Sequence, residues 1–465
     1  MERKNAWAKY DEQGLARIEA FAKGYCAFLD AGKTERECVA QAVAAAKAAG
    51  FEDLLEAAKT GRALHAGDKL YVNWMNKSFV CFVMGEAPLT QGMNILGAHI
   101  DSPRLDVKQN PLYEEADLAY LDTHYYGGIK KYQWVAQPLA LHGVLCKKNG
   151  ETVTVAIGEG EHDPVFYISD LLVHLAQEQL AKTAAKAVEG EDLNLIIGGK
   201  PVKAEDDKTG VTQGVLALLK AQYGLEEEDF LSAELEIVPA GKARDVGFDR
   251  SMIAAYGHDD RVCAYPSMQA VLGFEGVPAY TICAVLTDKE EIGSVGATGM
   301  DSRFFENIVA ELADLAGAQG DLALRRVLAN SRMLSSDVSA GFDPNFASVF
   351  EKKNAAFLGR GVCFNKYTGS RGKGGSNDAN AEYIAQLRAM LDGADVSFQT
   401  AELGRVDLGG GGTIAYMCAK FGMNVIDSGV AVLSMHAPYE LISKVDLYEA
   451  YRCYCTFLKE AGPVR

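Results

Sequence analysis

Five polar clusters between residues 96 and 438 carry side chains able to hold a divalent cation and to move a proton. The first, Leu96-Gly97-Ala98-His99-Ile100-Asp101-Ser102-Pro103, is an apolar run closing on His-x-Asp. On an extended chain residues two apart share a face, so the His99 ring can bind a metal while the Asp101 carboxylate orients it; a packed, hydrogen-bonded histidine leaves the same signature. The second, Tyr256-Gly257-His258-Asp259-Asp260-Arg261, opens a helix. One carboxylate can bridge two metals about 3.5–4 Å apart, a role open to Asp259, whereas Asp260 reads as a helix N-cap with first-turn charge. The third, Thr287-Asp288-Lys289-Glu290-Glu291-Ile292-Gly293, follows the apolar run 280–286. Neighbouring glutamates at a strand end point different ways, so one can ligate while the other acts on water as general base; a solvated charge cluster is the competing reading. The fourth and fifth, Leu334-Ser335-Ser336-Asp337 and Leu433-Ser434-Met435-His436-Ala437-Pro438, each close an apolar segment on one ligand-type residue.

Together these segments supply two histidines and a set of carboxylates, donors suited to zinc, cobalt or manganese rather than to a thiolate structural site. A cocatalytic pair of divalent ions needs a bridging carboxylate, a terminal histidine and carboxylate on each ion, and a separate base for water. The five clusters offer those parts.

The elements that must position them follow from periodicity. Leu15, Ile18, Phe21, Tyr25 and Leu29 recur at helical spacing, a second helix covers 38–48, and Gly32 and Gly50 punctuate the two. Residues 79–84 and 94–100 read as short buried strands, the second ending in His99. After residue 245 the chain alternates helix 262–272, strand 280–286, helix 308–315, strand 332–334, helix 379–391, strand 430–434 and a C-terminal helix over 448–459. The polar clusters fall where strands end, as expected of a site at the carboxyl edge of an open α/β sheet. Between residues 107 and 245 the texture differs: strands at 139–146 and 152–157, a turn at Lys148-Asn149-Gly150, one helix over 171–187 and a charged loop at 204–208. The expected fold is α/β, a mixed-sheet domain flanked by helices (residues 1–106 and 246–465) interrupted by a β-rich insertion (107–245).

Composition excludes several classes. The 465 residues are 48% hydrophobic and 23% charged with a formal net charge of −17, which fits a folded chain and opposes binding to a phosphate backbone. Nucleic acid is not an expected partner. The polar start and the lack of a long apolar run point away from a membrane and toward the cytoplasm, and ten scattered cysteines without a Cys-x-x-Cys pair read as reduced thiols. Cys453 and Cys455 lie in the C-terminal helix pattern rather than a redox loop.

His99-Ile100-Asp101-Ser102-Pro103, Asp259-Asp260-Arg261, Glu290-Glu291-Ile292-Gly293-Ser294, Ser336-Asp337 and Ser434-Met435-His436, in this order, resemble the aspartyl aminopeptidase family of paired-metal peptidases. The resemblance covers nearly the whole chain. It implies removal of N-terminal residues from peptides with a free N-terminus, using two divalent ions per subunit, zinc with cobalt or manganese as alternatives. His99, Asp259 and Asp337 then look like ligands of one ion with Asp259 bridging, Glu291 and His436 complete the other, Glu290 is the general base, and Asp101 orients His99. It also implies that the insertion is a dimerisation module. Within it Ile168-Ser169-Asp170-Leu171-Leu172-Val173-His174 is similar to a segment whose histidine enters the neighbouring subunit's active site, the alternative for His174 being a helical core residue. The implied assembly is a homo-oligomer, a tetrahedral dodecamer built from dimers.

Two stretches resemble the family's substrate-pocket lining: 365–371, carrying Lys366, and 408–413, carrying Gly411. The second precedes a helix pattern at 414–420 whose N-terminus can receive an anion, although no Gly-Lys-Ser/Thr ending marks a phosphate loop and a plain turn fits both stretches. The basic, glycine-rich run 369–375 departs from aspartyl-specific members and resembles a bacterial branch instead, leaving the preference for acidic residues open. Two other functions remain on the same residues. An amidohydrolase or deacylase of N-acyl amino acids would need a blocked amine, and a non-catalytic assembly protein would have no use for Glu290.

Overall fold

Alternate residues of the Asn94–His99 strand enter opposite apolar layers: Leu96 and Ala98 pack in one cluster, Ile95 in another, and the whole strand is buried. Ile282, Ala284 and Leu286 divide from Cys283 and Val285 in the same way. A strand apolar on both faces has to be covered on both, the condition of the central strands in an α/β sheet. The computed structural model describes residues 4–202, 210–369 and 372–464. Its contacts divide into two compact units, Met1–Asp101 with Ala243–Met435 and Glu440–Arg465, and Ser102–Lys242 with His436–Tyr439.

The larger unit holds a nine-stranded mixed sheet. Its spatial order is Glu52–Asp53, Lys69–Trp74, Ser78–Val83, Ile282–Thr287, Asn94–His99, Arg332–Ser335, Asn424–Gly429, Val362–Asn365 and Phe398–Thr400. Four neighbouring strands from Ile282–Thr287 to Asn424–Gly429 are parallel, so their carboxyl ends share one edge. Thr287 lies opposite His99 and Ser335 opposite Gly97. Asp337, two residues past Ser335, therefore comes level with His99. One face is covered by helices Glu12–Ala31, Glu35–Ala48, His258–Leu272, Ala381–Gly393 and Lys444–Glu460, the other by Leu54–Thr60, Phe304–Leu315, Asp321–Ala329 and Ala415–Ala419. Local signals set their ends: Asp11 accepts the Gly14 N–H, and Thr34 and Glu37 form a reciprocal capping box. Among the described residues no helix is long and apolar enough to cross a membrane, and the ten cysteines are unbridged.

The strand expected at 430–434 is displaced. The sheet strand is Asn424–Gly429; further on Ala431–Val432 pairs with Ser339–Ala340, and Leu433 bridges Leu441, outside the nine-stranded sheet. Asp427 and Ser428 interrupt the apolar pattern there, and Asp427 Oδ1 accepts from Thr413 (2.6 Å) and Ser335 (3.4 Å), partners that no local pattern reveals.

The smaller unit is a six-stranded antiparallel sheet in the order Thr152–Ile157, Leu139–Cys146, Ala233–Pro239, Arg104–Glu115, Leu118–Tyr126, Leu195–Gly198. Its longest helix is Gly210–Tyr223, not the expected 171–187. That segment breaks into Gln177–Ala181 and Ala184–Ala187, with Lys182 and Thr183 extended between them. The physical reason is the absence of an apolar surface to pack on: Leu171, Leu172, Val173, Leu175 and Leu180 are exposed, and short helices owe most of their stability to a buried face. Asp170 fixes a turn instead, accepting from the Leu171 N–H and the Gln179 amide. The charged loop 204–208 lies outside the described residues.

Gly429 shows how tightly the sheet edge is packed. A Cβ there would meet the Asp337 carbonyl oxygen at 1.8 Å, whereas one at Gly393 would meet nothing within 4 Å. Gly429→Ala is expected to lose at least about 1–3 kcal/mol in urea unfolding. Gly393→Ala, at a helix end with open space, is expected to be neutral or to gain up to about 1 kcal/mol. Equal behaviour of the two variants would contradict this packing.

Candidate metal centre

His99 ends its strand with its ring 2% exposed and carboxylates on both sides. Nδ1 lies 3.1 Å from the Asp101 carbonyl and 3.4 Å from Asp101 Oδ1, while Nε2 faces Asp259 Oδ1 at 3.1 Å and Glu290 Oε2 at 3.8 Å. A ring that donates through Nδ1 to Asp101 keeps its Nε2 lone pair for a metal. The fully buried Asp101 carboxylate does more, accepting the backbone N–H groups of Glu290 at 3.1 Å and Glu291 at 3.2 Å. Those two glutamates form the turn Glu290–Ile292, entered through Lys289 at φ 69° and left through Gly293 at φ 89°.

Asp259 and Asp260 do not sit in a regular first turn. Their backbone is non-helical and the peptide bond between them is cis. Gly257 occupies the N-cap position, and Asp260 Oδ2 accepts the His99 N–H at 3.2 Å, so the N-cap reading of Asp260 is overturned. The Asp259 N–H is held at 2.9 Å by Oε2 of Glu440, a 2%-exposed residue that no local sequence pattern marks. Arg261, also buried, ties the same turn to the sheet and helices through the carbonyls of Ile100 (3.3 Å) and Lys33 (2.9 Å). His258 behaves as a core residue: its ring lies between the Tyr25 hydroxyl (2.8 Å) and the Ile253 carbonyl (3.1 Å), and burial lowers its pKa to about 3.

Two trios emerge whose ligand atoms lie within 4.8 Å of one another: His99, Asp259 and Glu291, and His99, Asp260 and Asp337. Asp337, on the strand end, donates its N–H to the Ser428 carbonyl. The electrostatics are those of crowded acids. Burial, with Asp259 adding to it, pushes the Asp260 carboxyl well above the usual range, and burial followed by Glu290 and Asp260 does the same to Asp337. Burial opposes charge on His99, yet Asp101, Asp259, Glu290 and Asp260 together hold its pKa well above the ordinary imidazole value. Carboxylates this close cannot all ionise without cations among them. An oxygen-rich donor set with one shared imidazole therefore fits divalent metal on its own chemistry.

The structure brings together His99, Asp259, Glu291 and Asp337, with Asp101 and Glu290 against them, and adds Asp260. His436 belongs to the smaller unit, where its Nδ1 meets the Gly128 carbonyl at 2.8 Å. His174, also in that unit, is exposed in a turn, which removes the helical-core reading. Lys366 is exposed and paired with Asp378, and the Gly411 N–H donates to the Thr368 carbonyl at 2.9 Å. The two glycine-rich stretches do converge, with Tyr367, Thr368, Leu403 and Gly410 lining a cavity of about 210 Å3; Ser370 and Arg371 lie outside the described residues. The helix N-terminus proposed for anions is already used. Ala415–Ala419 is one turn long, and its Ala415 N–H is taken by the Thr413 hydroxyl, which itself donates to Asp427.

Glu440 generates a test that separates holding the Asp259 turn from merely filling space. Glu440→Gln keeps an acceptor for the Asp259 N–H and is expected to bind zinc within a few-fold of the parent, on the order of threefold; Glu440→Leu is expected to weaken binding about 10–100-fold. Calorimetric titration of the metal-free protein reads both. Equal affinities for the two variants would remove Glu440 from this role.

Comparison with known proteins identifies the family. Residues 28–458 match the family described as Aminopeptidase I zinc metalloprotease (M18). A probable M18 family aminopeptidase 1 of Clostridium acetobutylicum is 56% identical over 457 residues, covering 98% of both chains. Among solved structures, the M18 aminopeptidase of Thermotoga maritima superposes with a TM-score of 0.94 at 43% identity, and aminopeptidase I of Clostridium acetobutylicum with 0.91 at 53%; each match covers 99% of this chain and 100% of the other. With its carboxylates and shared histidine at the sheet edge and a family match across nearly its full length, the chain belongs to the M18 aminopeptidase family of zinc metalloproteases.

Proposed function

We propose that the chain releases N-terminal residues from peptides with a free amine through a dinuclear centre, with Glu290 as general base. The observation that carries this reading is the placement of Glu290: its carboxylate stands 3.8 Å from His99 Nε2, beside both ligand trios, on a turn whose backbone is held by Asp101. His99, Asp259 and Asp337 would hold one ion with Asp259 shared, and Glu291 and His436 the other; Asp260 is a further donor beside Asp337. When bound, the ions supply Lewis acidity toward the scissile carbonyl and make water acidic enough to attack near neutral pH. Glu290 takes the proton of the attacking water and returns it to the leaving amine. Asp101 keeps the His99 ring and the Glu290–Glu291 backbone in register during that transfer. Acidic side chains around the site receive the positively charged α-amino group, which confines cleavage to the first residue.

The substrate side chain is assigned to the region of Lys366 and Gly411. Zinc is the ion in this reading, with cobalt or manganese able to occupy the same donors. The protein is read as cytoplasmic and as a homo-oligomer, a tetrahedral dodecamer assembled from dimers through the smaller unit. The exposed Leu171, Leu172, Val173 and Leu175 around His174 support a partner surface there, with His174 reaching the partner's site.

Glu290→Gln tests the base. Metal content and melting temperature are expected to match the parent while turnover of aminoacyl amides falls by about 10²–10⁴-fold. An active Glu290→Gln enzyme would sink the assignment. Removing metal with a chelator is expected to abolish hydrolysis, and adding zinc, cobalt or manganese to restore it. Free aminoacyl amides should be cleaved and their N-acetylated counterparts spared. The opposite preference would identify a deacylase, and inactivity across a panel of first residues a non-catalytic assembly protein.

A further inference from the structure

A second cavity, of about 390 Å3, opens in the larger unit among the Ala381–Gly393 helix, the edge of the sheet and the segment around Tyr367. None of the residues of the metal centre lines it. Its floor is apolar, with Leu387 and Leu391 from the helix and Phe364 and Phe398 from the sheet, the two rings packed edge to face at 6.0 Å. Cavities that hold small molecules are typically about 300–1,000 Å3, apolar, with a few placed polar groups. An engineered cavity of about 150 Å3 already accepts a benzene ring, so this one has room for a fused bicyclic body.

The rim decides what that body carries. Glu402 accepts a hydrogen bond from the Tyr367 hydroxyl at 2.5 Å, and Lys366 is paired with Asp378. Arg388, exposed at the mouth, has no ion pair or hydrogen bond among the described residues, and is the rim cation still open to a ligand. A guanidinium is the side chain best shaped to take a carboxylate through two parallel hydrogen bonds. Glu402, held in place by Tyr367, disfavours a second negative charge on the ligand.

We propose that this cavity binds an aromatic monocarboxylic acid, its rings against Phe364 and Phe398 and its carboxylate on Arg388. The cavity shares Lys366 with the proposed substrate region but no residue with the metal centre, and the proposal uses Arg388, Phe364 and Phe398 rather than the metal or the peptidase reading.

The test titrates the purified holoprotein with indole-3-propionate by calorimetry. Binding is expected with a dissociation constant on the order of 1 mM or tighter. Arg388→Gln, an exposed change in a helix, is expected to stay folded and to weaken binding at least about tenfold. Ile384→Trp, which fills the cavity from its half-buried rim, is expected to abolish it. Indole-3-propanol, with the same rings and no carboxylate, should bind at least about tenfold more weakly. An absence of binding, equal affinity for acid and alcohol, or an Arg388→Gln protein that binds the acid unchanged would each overturn the proposal; the last is also the outcome if the acid sits only at the metal centre.

Discussion

Asp101 is a single buried carboxylate with three obligations. It fixes the His99 ring through Nδ1, and its two oxygens hold the N–H groups of Glu290 and Glu291. A carboxylate removed from water needs such partners, because an uncompensated buried charge costs several kcal/mol, roughly 3–5 when one partner of a pair is lost. The residue that orients the imidazole thereby also sets the distance from that imidazole to the proposed base. Two strand ends that are neighbours only through sheet pairing become one rigid edge.

The remainder of the centre is a problem in charge. Asp259, Asp260, Glu290, Glu291 and Asp337 crowd around one histidine, and burial together with the neighbouring carboxylates drives Asp260 and Asp337 toward the neutral form. A folded chain tolerates this only if other interactions hold the carriers in place. Glu440 and Arg261 do so for the Asp259–Asp260 turn, and Gly429 lets its strand approach the Asp337 backbone closely. Stability and affinity for a dication are therefore coupled through the same acids, since any group that binds the folded state alone stabilises it.

Much of this was legible in the sequence, for a physical reason that also explains the failures. Strands buried on both faces read as apolar runs, and polar clusters closing those runs marked His99, Glu290, Glu291 and Asp337. The major helices of the larger unit announced themselves by spacing and caps. What failed lacked a local signature. Asp260 looks like any helix cap until its bond to the His99 N–H is seen, Glu440 acts through a backbone N–H 181 residues away in the chain, and Asn424–Gly429 hides a strand behind Asp427, whose hydrogen bonds come from Ser335 and Thr413. The segment 171–187 failed in the other direction, with helical spacing and nothing to pack on.

The order of the sheet has a consequence for the making of the protein. The Asn94–His99 strand lies between Ile282–Thr287 and Arg332–Ser335, and the whole smaller sheet is encoded in between. On the ribosome, at about 5–20 residues per second, the first of these strands waits on the order of ten seconds or more for its neighbours to be synthesised. For that time an apolar strand stands with both edges unpaired, which is the state most open to aggregation. The inserted module, closed on antiparallel neighbours, can form early, while the sheet that carries the metal centre closes late. The length of that exposure is thus written into strand order rather than into any one residue.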